Sequence, residues 1–118
     1  MKSKYLALSL ALVGAGVSKG FAQSVAFTLD HNLFRPPADT QVTTTFSSPY
    51  GGSAKLVIYN ADGEVIKTLF SGSVSPGAVQ TLIWDGKNLS GLEVASGIYV
   101  FWLKLDLGVQ TKSLVVVR

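Results

Sequence analysis

The sequence predicts an all-β domain in which about seven antiparallel strands pack as a two-sheet sandwich. Short β-branched and aromatic runs recur along the chain with turns of Gly, Pro, Asn or Asp between them. Helix signals are nearly absent after Ala22. The length of 118 residues allows one domain, and because the chain has no cysteine, that domain depends on apolar packing alone.

Residues 1–22 have the pattern of a signal peptide. A short basic head precedes an apolar run from Leu6 to Val17, and small residues lead up to Ala22. We expect cleavage after Ala22 and a bacterial-type exported protein that is extracellular, on the cell surface or periplasmic. The alternative is a retained membrane anchor, which two glycines in the apolar run and the early Lys19 disfavour.

The remaining chain divides into an extended segment, residues 23–40, and the sandwich, residues 41–118. The turn Asn60–Gly63 closes a hairpin, with Gly63 free to adopt positive φ. Alternating apolar residues mark the core faces of these strands. The expected strands run, in order, over 24–29 as a candidate first strand, then 41–47, 54–59, 64–70, 79–84, 98–106 and 109–117.

A longer motif joins the expected strand 79–84 to the expected strand 98–106. Trp84-Asp85-Gly86-Lys87-Asn88, then Ser90-Gly91, then Val94-Ala95-Ser96-Gly97-Ile98-Tyr99 resembles the FlgD-like immunoglobulin-like domain, named for the C-terminal part of the flagellar hook-capping protein. Its relatives include C-terminal sorting domains of type IX secretion. Asn32-Leu33-Phe34-Arg35-Pro36 is similar to the family's N-terminal segment. The resemblance covers about 32–118 and implies an immunoglobulin-like sandwich.

The motif residues are better suited to holding a fold than to chemistry. Trp84 is placed to fill the core, because its ring can span a thin sandwich. Asp85 and Gly86 suit the end of a strand, and Gly97 lets the chain re-enter the sheet. The residues predicted to build the core and its turns are Leu56, Ile58, Trp84, Asp85, Gly86, Gly91, Gly97, Tyr99 and Phe101.

Neither catalysis nor a bound cofactor is expected. The only histidine, His31, has no nucleophile context and is predicted to lie on the surface. Zinc needs three or four ligands, and Asn60, Asp62 and Glu64 suit a hairpin turn better than a calcium loop. Beyond residue 22 the seven remaining Lys and Arg balance the seven Asp and Glu, which argues against a nucleic-acid partner.

The last strands are apolar on the side that should face water. If Tyr99, Phe101 and Leu103 point inward, then Ile98, Val100 and Trp102 point outward, and residues 114–117 are apolar on both sides. Val79 and Ile83 add to a continuous outer patch if their strand is adjacent. Either this patch binds a protein partner, or residues 24–37 fold over it. The predicted interface residues are Val100, Trp102, Val115 and Val117, with Phe27 and Leu29 contributing by strand addition to a neighbouring copy.

The sequence therefore predicts a non-catalytic, exported interaction module of an extracellular or cell-surface assembly. Its partners are expected to be proteins, among them copies of itself, with the membrane involved only through export. Three alternatives remain. The chain is a minimal sorting-type domain of type IX secretion, a relative of the flagellar scaffold, or a glycan-binding module that uses Trp102 or Tyr50.

Overall fold

The computed structural model describes residues 25–118 and shows eight strands in this range. The predicted signal peptide, residues 1–22, lies outside it. The strands are β1 (Ala26–Leu29), β2 (Leu33–Phe34), β3 (Val42–Ser47), β4 (Gly52–Asn60), β5 (Val65–Val74), β6 (Gln80–Trp84), β7 (Gly97–Leu105) and β8 (Gly108–Val116).

Two sheets form the sandwich. The small sheet has the order β1-β3-β6, and the large sheet has the order β2-β8-β7-β4-β5. Every pairing is antiparallel except β2 with β8, which run parallel. The predicted all-β sandwich is confirmed. The additional strand is β2, whose two residues are too few to show an alternation in the sequence.

The core lies between the sheets and is centred on the Trp84 ring. β7 alternates strictly, with Tyr99, Phe101, Leu103 and Leu105 buried. The Trp84 ring centroid lies 5.8 Å from those of Tyr99 and Phe101 and 6.2 Å from that of Phe34. Leu56 and Ile58 of β4 complete this face from the neighbouring strand, as predicted.

The β4–β5 hairpin closes on Asn60. Its side-chain oxygen accepts the backbone N–H groups of Asp62 (3.0 Å) and Glu64 (2.9 Å), and its amide donates to the Glu64 carboxylate (2.8 Å). Gly63 has φ of 84°, the left-handed conformation expected of it. Asn60, Asp62 and Glu64 therefore take part in a hairpin turn. The sequence favoured this structure over a calcium loop.

The N-terminal segment belongs to both sheets. β1 pairs with β3 of the same chain and places Phe27 in the core at 4% exposure, and β2 extends the large sheet beside β8. Two expectations are thereby corrected. The segment from residue 25 does not cover the outer face of β7, and Phe27 is not available as an interface residue because its own core holds it.

The predicted continuous outer patch is also corrected. β6 pairs with β3 in the small sheet and is not adjacent to β7. Val79 and Ile83 are exposed, as their alternation implied, but Ile83 lies on the opposite side of the sandwich from Trp102. The apolar outer residues of β7 and β8 therefore form a surface of the large sheet alone.

Candidate interaction surface

The loop between β6 and β7 is fixed by side chains that bond to backbone. The Trp84 indole N–H donates to the Lys87 carbonyl (2.9 Å), so the core ring also anchors the loop. The Asp85 carboxylate accepts the Lys87 N–H (3.1 Å). The Asn88 side-chain oxygen accepts the N–H groups of Ser90 (2.9 Å) and Leu92 (3.0 Å). The motif therefore makes a self-contained turn structure, the role predicted from its residue types.

The end of the described chain fastens the other side of this loop. The Arg118 N–H donates to the Ser96 hydroxyl (2.9 Å), its guanidinium donates to the Val94 carbonyl, and it pairs with Glu93 (3.2 Å). Beneath them the Tyr99 hydroxyl donates to the Ala95 carbonyl (2.7 Å). Burial raises the pKa of Tyr99, an effect that the nearby Arg118 charge partly opposes.

The solvent side of the large sheet carries an apolar surface. Residues directly opposite one another on paired strands share a face, so the register assigns its members. Trp102 lies opposite Val57, Val100 opposite Tyr59, and Ile98 opposite Val115. Tyr59 in turn lies opposite Val65, and Val115 lies beside Leu33. We name this set the outer patch: Leu33, Val57, Tyr59, Val65, Ile98, Val100, Trp102 and Val115.

An aromatic pair forms the centre of the outer patch. The Tyr59 and Trp102 rings meet edge to face, with centroids 5.9 Å apart and an interplanar angle of 87°. Val57 is buried, although it points away from the core and lies outside the core cluster. Because Trp102 is its direct cross-strand neighbour, we attribute this burial to the ring pair. The patch is thus a packed second cluster with exposed members around it.

The structure brings together three of the predicted interface residues. Val100, Trp102 and Val115 share the outer patch, and Val117 follows Val115 in the same alternation and is exposed. Leu29 packs partly buried against the core next to Phe27, so β1 contributes nothing to this surface.

Sequence reasoning missed four members of the patch. Leu33, Val57, Tyr59 and Val65 lie on β2, β4 and β5, and only the register with β7 and β8 reveals that they face the same way. The available signal was Val57 between Leu56 and Ile58, an apolar residue on what should be the wet side of a strand.

The described residues contain no candidate metal centre. Among residues 25–118, no three His, Asp or Glu side chains lie close enough to hold a metal ion. His31 stacks on Phe34 with centroids 6.5 Å apart, and its Nδ1 lies 2.9 Å from Asp30, whose carboxylate also accepts the Thr43 N–H. Over the same range no helix is long and apolar enough to cross a bilayer.

Comparison with known families agrees with this architecture. The family model described as the FlgD Ig-like domain matches residues 32–108, which include the Trp84 loop and most of both sheets. The chain belongs to the FlgD Ig-like domain family. This family is structural and non-catalytic. The matched range begins at Asn32 and therefore includes β2.

Two solved structures are similar to parts of this FlgD Ig-like domain. FlgD from P. aeruginosa is 22% identical with a TM-score of 0.49, covering 63% of this chain and 59% of that one. PorZ is 19% identical with a TM-score of 0.52, covering 78% of this chain and 11% of that one. PorZ is an essential bacterial surface component of the type IX secretion system of Porphyromonas gingivalis.

This FlgD Ig-like domain corresponds to little more than half of the FlgD structure and to a small part of PorZ. At 19% identity the likeness to PorZ concerns the fold alone. No curated protein matches the sequence significantly.

Proposed function

We propose that this FlgD Ig-like domain is an exported, non-catalytic interaction module that binds another protein through the outer patch. The observation that carries the proposal is the exposed apolar surface around Trp102. Within the patch Ile98 is 53% exposed, and Val65, Val115 and Leu33 are also exposed. Soluble proteins seldom leave a contiguous apolar patch open to water unless it contacts something.

The composition of the patch supports a protein partner. It contains a Trp and a Tyr in edge-to-face contact, surrounded by aliphatic side chains. Aromatic anchors of this kind dominate the energetics of protein interfaces. Lys55 and Lys104, which lie opposite each other at one end of the same face, give the surface a polar border.

Replacing Ile98 by Glu is expected to release the protein from its assembly in the producing bacterium. A carboxylate in the patch would have to be buried without a partner, so binding should weaken about a hundredfold or more. The measurement is the size distribution of the protein on native gels of the envelope and medium fractions. The wild-type protein should migrate in a large species and the variant as a free chain.

Ile83 supplies a matched control. It is 54% exposed, close to the 53% of Ile98, but it lies in the small sheet on the other side of the sandwich. Ile83→Glu should leave the size distribution unchanged. Equal release by both variants, or by neither, would contradict a role for the outer patch.

Export makes a separate prediction. Protein produced from the full sequence in a Gram-negative bacterium should lack residues 1–22, and mass spectrometry should identify Gln23 as its first residue. Ala22→Lys places a charged side chain where the peptidase accepts only small residues, so cleavage at this site should fail. An intact Met1 on the wild-type protein would refute the export prediction and leave the outer patch untouched.

A further inference from the structure

The edge of the large sheet beside β8 is only partly covered. β2 pairs with Val115 and Val116 and with no other residue of β8. The Val115 N–H donates to the Asn32 carbonyl (3.0 Å), and the Val117 N–H donates to the Phe34 carbonyl (2.9 Å). These bonds show which residues of β8 direct their backbone groups toward the edge.

The uncovered stretch presents unpaired backbone groups. Along a strand, alternate residues point their N–H and C=O to the same side, so Val109, Thr111 and Ser113 point to the edge as Val115 does. Within residues 25–118 no strand pairs with them there. A cleft of about 580 Å³ lies beside this stretch, between β8 and β1, and Lys112 and Ser113 line it.

The charge of Lys112 is the one usual protection of a sheet edge in this stretch, whose backbone pairing is otherwise regular. The pairing of β7 with β8 is regular from Gly97–Val116 to Leu105–Gly108, without a bulge. At the opposite edge of the sheet, β5 has two irregularities in its pairing with β4, features that hinder strand addition. The edge strands of the small sheet are short, with four residues in β1 and five in β6.

We propose that a second copy of the chain adds its β8 to this edge, antiparallel, with a two-fold axis at Thr111. The inference goes beyond the proposed function, because the second copy joins at the β8 edge and leaves the outer patch of each copy open to the protein partner. Two five-stranded sheets would then join edge to edge, with their outer patches side by side.

The stretch is complementary to itself in length and charge. It is bounded by β2 at one end and by the turn before Gly108 at the other, and these limits leave Val109–Ser113 free on each copy. Antiparallel pairing about the axis sets Thr111 opposite Thr111, which is a favourable cross-strand pair. Lys112 lies opposite Gln110, so no like charges meet. The three edge-facing residues of each copy supply about six hydrogen bonds.

A single cysteine tests the axis directly, because the chain has none of its own. Residues opposite one another in such a pair lie about 5.5 Å apart between Cα atoms, within reach of a disulfide. Thr111→Cys should therefore form a covalent dimer under mild oxidation. In Val109→Cys the two cysteines of the dimer are offset by four residues along the strands. Their thiols therefore stay about 14 Å apart, and no covalent dimer should form.

Charge exchange supplies the second test, read by light scattering over a concentration series. Thr111→Lys and Thr111→Glu should each raise the dimer Kd about tenfold or more, and an equimolar mixture should restore it, because opposite charges then meet on the axis. The side chain at position 111 lies on the exposed outer face. The circular dichroism spectra of both variants should therefore match that of the wild-type protein.

Three results would overturn the inference. The first is a wild-type protein that stays monomeric up to about 1 mM. The second is equal disulfide cross-linking of the two cysteine variants. The third is a dimer Kd that does not change when a charge is placed at Thr111. If the assembly is lost with Ile98→Glu but not with the Thr111 variants, the outer patch stands and the β8 edge does not.

Discussion

Trp84→Ala is expected to lower the free energy of unfolding by about 3–5 kcal/mol, the usual cost of removing a fully buried aromatic ring. The ring is completely buried, contacts Phe34, Tyr99 and Phe101, and anchors the following loop through the Lys87 carbonyl. Domains of this size are stable by about 5–15 kcal/mol. The substitution should therefore remove a large part of the total and loosen the family motif at the same time.

Urea denaturation followed by circular dichroism measures this loss. Ile83→Ala is the control, because Ile83 is the preceding residue on the same strand and faces solvent. It should cost less than about 1 kcal/mol. If Trp84→Ala cost no more than the control, the ring would not be the centre of the core.

Gly86→Ala is expected to cost about 2–5 kcal/mol through two separable effects. Gly86 has φ of 80°, a conformation that costs a residue with a Cβ about 1–2 kcal/mol. A Cβ at this position would also lie 2.7 Å from Cε2 of the buried Phe34, and overpacking of that kind costs about 1–3 kcal/mol.

Comparison with Gly63→Ala isolates the cost of overpacking, because that variant carries only the conformational cost. Gly63 has nearly the same φ, 84°, but a Cβ there would meet nothing within 4 Å. The two variants should differ by about 1–3 kcal/mol in denaturant unfolding, with Gly86→Ala the less stable. Equal losses would mean that the approach of Phe34 to Gly86 imposes no constraint on the fold.

The long strands could be predicted because their patterns are local. β7 alternates buried and outward-facing residues from Tyr99 to Leu105, and the Asn60–Gly63 turn has the residues that such a hairpin needs. β2 could not be predicted, because two residues carry no period. Its place in the sheet depends on hydrogen bonds to Val115 and Val117, which are far away in sequence.

The interaction surface could be predicted only strand by strand. Val100 and Trp102 follow from the alternation of β7 itself. Tyr59 and Val65 depend on the register of β4 with β7 and β5, which includes an irregularity that no sequence period reveals. Val79 and Ile83 were placed with the wrong sheet for the same reason, since the order of strands is set by tertiary packing rather than by local pattern.

The outer patch of this domain is proposed to contact another protein. This contact is tested most directly by site-specific photo-cross-linking in the living bacterium, with a benzophenone side chain placed at Ile98 in one strain and at Ile83 in another. The two positions are equally exposed but lie on opposite sheets. A discrete higher-mass adduct is expected from position 98 and none from position 83. Adducts from position 83 alone, or identical adducts from both positions, would contradict it.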